Sequence, residues 1–155
     1  MRQEEPGPGG PLGPIELRKA VPFEPCAASD PLGWVGVEAA RYREAPASEI
    51  DLSPLTHHTL ILFARPPEEL DLKYEGVKRH VPPPAGAISL VPAGSPHRVR
   101  SSGCKDELHT CLEPGLVVRV AAEAFGLDPA WLTVPPLDGL DLPHLRAAMG
   151  AVASS

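Results

Sequence analysis

Residues 86–97, GAISLVPAGSPH, decide the fold of this chain. Gly86 opens a short apolar run, Pro92 and Gly94 end it with a turn signal, and His97 begins the next run. This order predicts a strand, a tight turn and a returning strand. A return of this kind points His97 into the interior of a β-barrel, where a neutral imidazole can bind a metal ion.

Further short strands are predicted on both sides of this stretch. Residues 56–65, THHTLILFAR, give the strongest strand signal, because they are rich in β-branched and aromatic side chains and have prolines before and after them. We expect this strand to be central. The other predicted strands are residues 34–43, 70–74, 87–91, 97–100 and 107–112. Short strands at such close spacing are typical of a β-sandwich or barrel, here over residues 26–113.

The two ends of the chain differ from this central part. Residues 1–25 hold six prolines and four glycines, so we expect a largely disordered leader that ends in a short strand around residues 15–17. Residues 114–155 change to a period of 3.6 and predict a C-terminal helical segment. Its first helix carries an apolar stripe and ends at Gly126, and a last helix starts near Pro143.

Composition excludes several functional classes. The 155 residues carry a formal net charge of −6, which argues against direct nucleic-acid binding by this chain. No apolar run is long enough for a membrane span, and MRQEEPGPGG is unlike a signal peptide. We therefore expect a cytoplasmic protein with no membrane contact.

A metal site is not expected from the histidine spacing. His57 and His58 are adjacent, so on a strand they point to opposite faces and only one can enter the barrel. That histidine and His97 together fall short of the three protein ligands of a catalytic metal site. Cys111 lies two residues from His109, but we interpret it as a buried or idle thiol.

With these residues in place, the chain resembles the N-terminal, cupin-like effector-binding region of AraC-family transcription regulators. Residues 86–97 match the second sequence motif of cupin barrels as far as its histidine, and the final Asn of that motif falls at Ser101. The resemblance covers about residues 30–136. Its pieces are Gly33-Trp34-Val35-Gly36, Pro54-Leu55, His58-Thr59-Leu60, residues 84–96, Asp106-Glu107-Leu108-His109, Leu112-Glu113-Pro114, residues 116–123 and Phe125-Gly126-Leu127-Asp128-Pro129.

The resemblance implies a mainly β fold: a cupin-like double-stranded β-helix, or jelly-roll, barrel followed by one or two C-terminal α-helices. In this family the barrel holds a small-molecule effector, and the helices serve dimerisation and contact two helix-turn-helix units that bind DNA. This chain ends at Ser155 before any such unit. We therefore expect a sensor and not an enzyme, with an effector of unknown identity, a homodimer and no cofactor. The polar candidates for effector binding are His58, His97, Tyr42 and His109.

Two other functions stay open at this point. The first is a stand-alone metal-dependent cupin enzyme, a dioxygenase or isomerase, in which His97 and one of His57 and His58 would bind the metal. The adjacency of those two histidines argues against it. The second is a protein-interaction or storage barrel without a ligand, whose interior would be fully packed.

Overall fold

Two antiparallel β-sheets form a barrel in the computed structural model, which describes residues 12–21, 23–29 and 35–153. The strands are β1 (Ala27–Ala28), β2 (Val37–Ala45), β3 (Ser48–Leu52), β4 (His58–Arg65), β5 (Glu69–Tyr74), β6 (Val77–Arg79), β7 (Ile88–Val91), β8 (His97–Ser102), β9 (Lys105–Leu112) and β10 (Leu137–Leu140). The helices are α1 (Pro14–Ala20), α2 (Pro114–Phe125) and α3 (Pro143–Ala153), with a short 3-10 helix at Pro129–Trp131.

The strand order is that of a jelly roll. One sheet has the order β1-β2-β9-β4-β7-β10 and the other has the order β3-β8-β5-β6. Consecutive strands from β2 to β9 alternate between the sheets, except that β5 and β6 form a hairpin. The predicted fold class, a mainly β cupin-like barrel followed by helices, is therefore confirmed. The prediction that β4 is central is confirmed as well, because it lies between β9 and β7.

Burial on both faces explains the apolar sequence of β4. Ile61 and Phe63 face the barrel interior, where they pack with apolar side chains of β5. Leu60 and Leu62 face the opposite way and belong to a second apolar cluster that includes Met149 of α3. A strand that is covered on both faces has no polar side to alternate with, so its sequence is nearly continuous in apolar residues.

The turn at residues 92–95 directs the chain from one sheet into the other. Gly94 has a φ of 85°, a conformation that favours glycine, and its N–H donates to the carbonyl of Leu55 at 2.8 Å. The N–H of Ser95 closes the turn on the carbonyl of Pro92 at 3.2 Å. After this turn β8 begins with His97, which pairs in register with Leu52 of β3 and with Tyr74 of β5.

Helix α1 corrects the expectation for the leader. A strand was expected around residues 15–17, but the chain is helical there, and residues 1–11 and 22 of the expected leader lie outside the described residues. Leu17 and Val21 are four positions apart, so both reach the same side of the helix, and they are 4% and 7% exposed. They pack against Tyr42 and Leu55 of the barrel. This packing stabilises a helix of seven residues, which would be unstable alone.

The C-terminal helices pack differently from each other. Helix α2 ends at Gly126 in a left-handed conformation with a φ of 63°, as its sequence predicts. Its apolar stripe is mostly uncovered: Ala121 is buried, whereas Val120 and Phe125 are 45% and 73% exposed. Helix α3 instead lies against β2 and β9. No helix in the described residues is long and apolar enough to cross a membrane.

Candidate functional site

The barrel interior contains a cavity. The space between its walls is about 540 Å³, part of which is open to solvent. The walls are mostly apolar, and a few polar side chains lie among them, which is the usual form of a small-molecule site. The apolar lining is Leu17, Val21, Phe23, Ile50, Leu52, Ile61, Phe63, Leu70, Leu72 and Val99, and the polar lining is Thr59, His97, Lys105, Glu107 and His109.

Strand β9 supplies a chain of three polar side chains to this cavity. Lys105, Glu107 and His109 are two positions apart, so the pleat places all three on the inner face. Lys105 Nζ donates to Ser101 Oγ at 3.1 Å and to Ser48 Oγ at 3.4 Å, and it lies 3.8 Å from Glu107 Oε1. The other carboxylate oxygen, Oε2, accepts from His109 Nε2 at 2.8 Å. Each buried charge therefore has polar partners, as burial requires.

The carboxyl group of Glu107 is ionised in this setting. Burial is the largest single effect and favours its protonated form, but the hydrogen bond from His109 and the electrostatic interactions with His109 and Lys105 together outweigh it. The pKa of Glu107 consequently lies below its ordinary value. The side chains of Lys105 and Glu107 are 3% and 7% exposed, so the two charges compensate each other inside the barrel.

His97 and Thr59 are the two polar lining residues in the described part of the chain that have a buried side-chain atom without a hydrogen-bond partner. Of the two, His97 is the titratable one. Its residue is 6% exposed, and its Nδ1 atom is buried without a hydrogen-bond partner. Burial, with a smaller contribution from His109, lowers the pKa of His97 from 6.5 to about 4. The imidazole is therefore neutral at physiological pH. A buried nitrogen without a partner costs free energy in the unliganded protein, and a ligand can recover that cost by hydrogen bonding to it.

The structure places the four predicted site residues in different surroundings. His97 and His109 line the cavity. The ring of Tyr42 lies directly behind that of His109, with ring centroids 4.9 Å apart, and it supports the cavity wall without lining it. His58 faces the other way, because its Nδ1 accepts from the backbone N–H of Ala93 at 3.0 Å. It therefore anchors the turn after β7 and does not reach the cavity.

The residues present do not fit a metal ion in this cavity. Neither His57 nor His58 lines it, so His97 has neither of them as a neighbouring ligand. No group of three or more His, Cys, Asp or Glu side chains that could hold a metal ion occurs among the described residues. Cys111 is 8% exposed, and burial raises the pKa of its thiol to about 12, which agrees with a buried, protonated thiol.

Lys105 and Glu107 were missed by the sequence analysis as site residues. The predicted strand began at residue 107, so Lys105 fell outside it, whereas β9 begins at Lys105. The signal was present in the sequence: Lys105, Glu107 and His109 follow the period of two that places side chains on one face of a strand. Three polar residues on that face would ordinarily indicate a solvated face, which is why the pattern alone was not sufficient.

Comparisons with known proteins give fold-level similarities. A cupin superfamily protein from Desulfitobacterium hafniense is 18% identical with a TM-score of 0.41, and the match covers 72% of this chain and 94% of that one. A cupin 2 conserved barrel domain protein from Salinispora arenicola is 19% identical with a TM-score of 0.41 over 57% and 72% of the two chains. No family model and no curated protein sequence matches this chain. The assignment of a cupin-like barrel rests on its own strand order, and the comparisons give no indication of an AraC-family regulator.

One expectation from the sequence is corrected by these comparisons. The chain was expected not to be an enzyme, but the similar structures include an oxalate decarboxylase, which is 12% identical with a TM-score of 0.41 over 61% of this chain and 30% of that one. They also include DMSP lyases, at 13% identity and a TM-score of 0.39 over 52% and 40% of the chains. A barrel of this architecture therefore does not exclude catalysis.

Proposed function

We propose that this chain is a small-molecule-sensing domain that holds its effector in the barrel cavity, in the manner of the effector-binding domain of AraC-type regulators. The observation that carries the proposal is the unpartnered Nδ1 of His97, which is buried in a cavity with mostly apolar walls. In a barrel that binds no ligand, a buried imidazole nitrogen without a hydrogen-bond partner would only destabilise the fold, and an apolar side chain would be expected in its place.

The charges in the cavity indicate what the effector is like. Lys105 and Glu107 already compensate each other, so a ligand that brings a net charge would have to bury it without a counter-charge. The apolar walls favour an apolar body, and His97 favours a single hydrogen-bonding group. The proposed effector is consequently an uncharged organic molecule with one hydroxyl or carbonyl group.

Helix α1 offers a route from binding to a response. Leu17, Val21 and Phe23 belong to α1 and the residues just after it, and they form part of the cavity wall. A ligand that contacts these side chains stabilises one packing of α1 against the barrel. By mass action this shifts the population toward that packing, which is how a sensor responds without covalent chemistry.

The proposal is tested by thermal shift and calorimetry with matched ligand pairs at pH 7.5. Each pair consists of a neutral alcohol or ketone and the carboxylate with the same hydrocarbon body, for example cyclohexanol and cyclohexanecarboxylate. A ligand at about 100 times its Kd stabilises the folded state by about 2.7 kcal/mol, so binding raises the melting temperature. We expect the neutral members to do so and the carboxylates not to.

The variants are His97→Leu and, as a matched control, His80→Leu, whose side chain is 76% exposed. The first should weaken binding by tenfold or more, because the hydrogen bond between the ligand and a buried imidazole is lost, and the second should leave it unchanged. Equal binding by the carboxylates, or full binding by His97→Leu, contradicts the proposal.

Elemental analysis of the purified protein tests the alternative function, that of a metal-dependent enzyme. Stoichiometric Fe, Zn, Mn or Ni would favour that function over a sensor.

A further inference from the structure

A second cavity lies at one end of the barrel, beneath the start of α1. The space between its walls is about 520 Å³, including a part open to solvent. It shares no lining residue with the barrel cavity described above. Its walls come from α1, the start of β2, the approach to β4 and the junction of β9 with α2. The lining residues are Pro14, Gly36, Val37, Glu38, Thr56, His57, Cys111 and Glu113.

His57 lines this cavity and carries an unused acceptor. The residue is 3% exposed, and its Nε2 has no hydrogen-bond partner. The hydroxyl of Thr56 donates to the carbonyl of Leu12 at 3.3 Å, so its oxygen is left to accept from His57 Nδ1 at 3.4 Å. With the proton on Nδ1, the Nε2 atom carries a lone pair. Burial, together with His58, lowers the pKa of His57 to about 4, so this neutral form prevails at pH 7.

Glu38 presents a second acceptor. Its Oε2 atom is buried and has no hydrogen-bond partner. The guanidinium of Arg18 lies 3.8 Å away, which is a long ion pair and not a hydrogen bond. A second carboxylate, that of Glu113, lines the same cavity at the start of α2. Among the described residues, no lysine or arginine lines the cavity, so Arg18, behind Glu38, is the positive charge nearest to that carboxylate, and the lining itself supplies acceptors and negative charge.

We propose that this cavity binds the protonated amine of a small organic ligand, whose ammonium group donates hydrogen bonds to Glu38 Oε2 and His57 Nε2. An ammonium group has three donors and a positive charge, which is the complement of these two acceptors and of the carboxylates. An anion would meet two like charges. A metal ion is less suited, because the described residues hold no group of three side chains arranged to bind one.

Calorimetry with n-butylammonium chloride tests this site, and n-pentanol, which is similar in length and uncharged, serves as the comparison. We expect saturable binding of butylammonium at pH 7.5 and none of n-pentanol. Glu38→Gln removes the negative charge and should weaken binding by tenfold or more, because hydrogen bonds to charged groups are the strong ones. The matched control is Glu49→Gln, which changes an exposed glutamate of β3 and should leave binding unchanged.

His57→Leu gives a second readout that does not depend on ligand. It removes a buried acceptor without a partner, so the melting temperature of the free protein should rise while butylammonium binding weakens. The proposal is overturned if n-pentanol binds as tightly as butylammonium, or if Glu38→Gln binds butylammonium normally. It is also overturned if Zn²⁺ binds stoichiometrically, butylammonium does not bind, and Glu38→Gln abolishes the binding of Zn²⁺. This site goes beyond the proposed sensor function: His97→Leu should leave butylammonium binding unchanged, so failure at one cavity is distinguishable from failure at the other.

Discussion

Replacing Glu107 with leucine should destabilise the barrel strongly. The substitution removes the carboxylate that compensates the buried charge of Lys105 and the acceptor for His109 Nε2. Lys105 would keep its two serine partners, but no negative charge would remain beside it in the cavity. Its side chain is 3% exposed, so water cannot take over the lost role without a change in the barrel.

The magnitude follows from the distance between the two charges. At 3.8 Å, and with an effective dielectric constant of about 20, the attraction between Lys105 Nζ and Glu107 Oε1 is about 4 kcal/mol. This agrees with the loss of about 3 to 5 kcal/mol that generally follows removal of one partner from a buried pair. We expect a loss of this size for Glu107→Leu. Lys105→Met should cost less, because Glu107 keeps its hydrogen bond with His109.

Urea unfolding followed by circular dichroism measures these differences. The double variant Lys105→Met/Glu107→Leu removes both charges. Its free energy of unfolding should be no more than about 1 kcal/mol below that of the wild type, and it can be higher, since well-packed apolar replacements of a buried pair are often neutral or stabilising. Glu49→Leu controls for the loss of a glutamate at an exposed position. The reasoning is refuted if Glu107→Leu loses less than about 1 kcal/mol, or if the double variant is as unstable as that single variant.

Two further predictions concern pH and a turn. The pKa of His97 is about 4 in the folded state and 6.5 ordinarily, so the unfolded chain binds more protons between these values. Stability present above pH 6.5 should therefore be lost on acidification toward pH 4, and His97→Leu should reduce that loss by about 3 kcal/mol in urea titrations. Gly94→Ala meets nothing within 4 Å and should cost only the backbone strain of its positive φ, about 1 to 2 kcal/mol. Gly103→Ala should lower the melting temperature further, because its Cβ would lie 2.9 Å from Glu68 Cγ; equal losses for the two glycines would contradict this.

The strands with a clear apolar pattern were predictable from the sequence. The apolar run of β4 and the turn after β7 are signals that arise from a few adjacent residues, and both lead to the observed jelly roll. The position of His97 on the inner face follows from the same local pattern. Strand β3 was missed because its sequence, SEIDL, has three polar residues in five. It is held in place by pairing with β8, which no local pattern reveals.

The candidate site depends on contacts that the sequence does not show. Lys105 reaches Ser48, which lies on another strand and far away in the chain, so their proximity exists only after folding. Helix α1 was likewise hidden, because the partners that bury Leu17 come from the barrel. His58 was predicted as a site residue from its strand, but the turn after β7 gives it a backbone partner elsewhere. Local signals locate strands, and only the assembled barrel decides which side chains meet.

The pairing of β2 with β9 has a consequence for how this chain emerges from the ribosome. Val37, at the start of β2, pairs with Leu112, at the end of β9. At about 5 to 20 residues per second, the ribosome needs roughly 4 to 15 seconds to synthesise the segment between them. During that interval β2 has no β9 to pair with, and its backbone amides on that side stay unpaired. The nascent barrel therefore cannot close from its N-terminal end, and β9, whose end is translated about 75 residues after the start of β2, is the strand that joins β2 to β4.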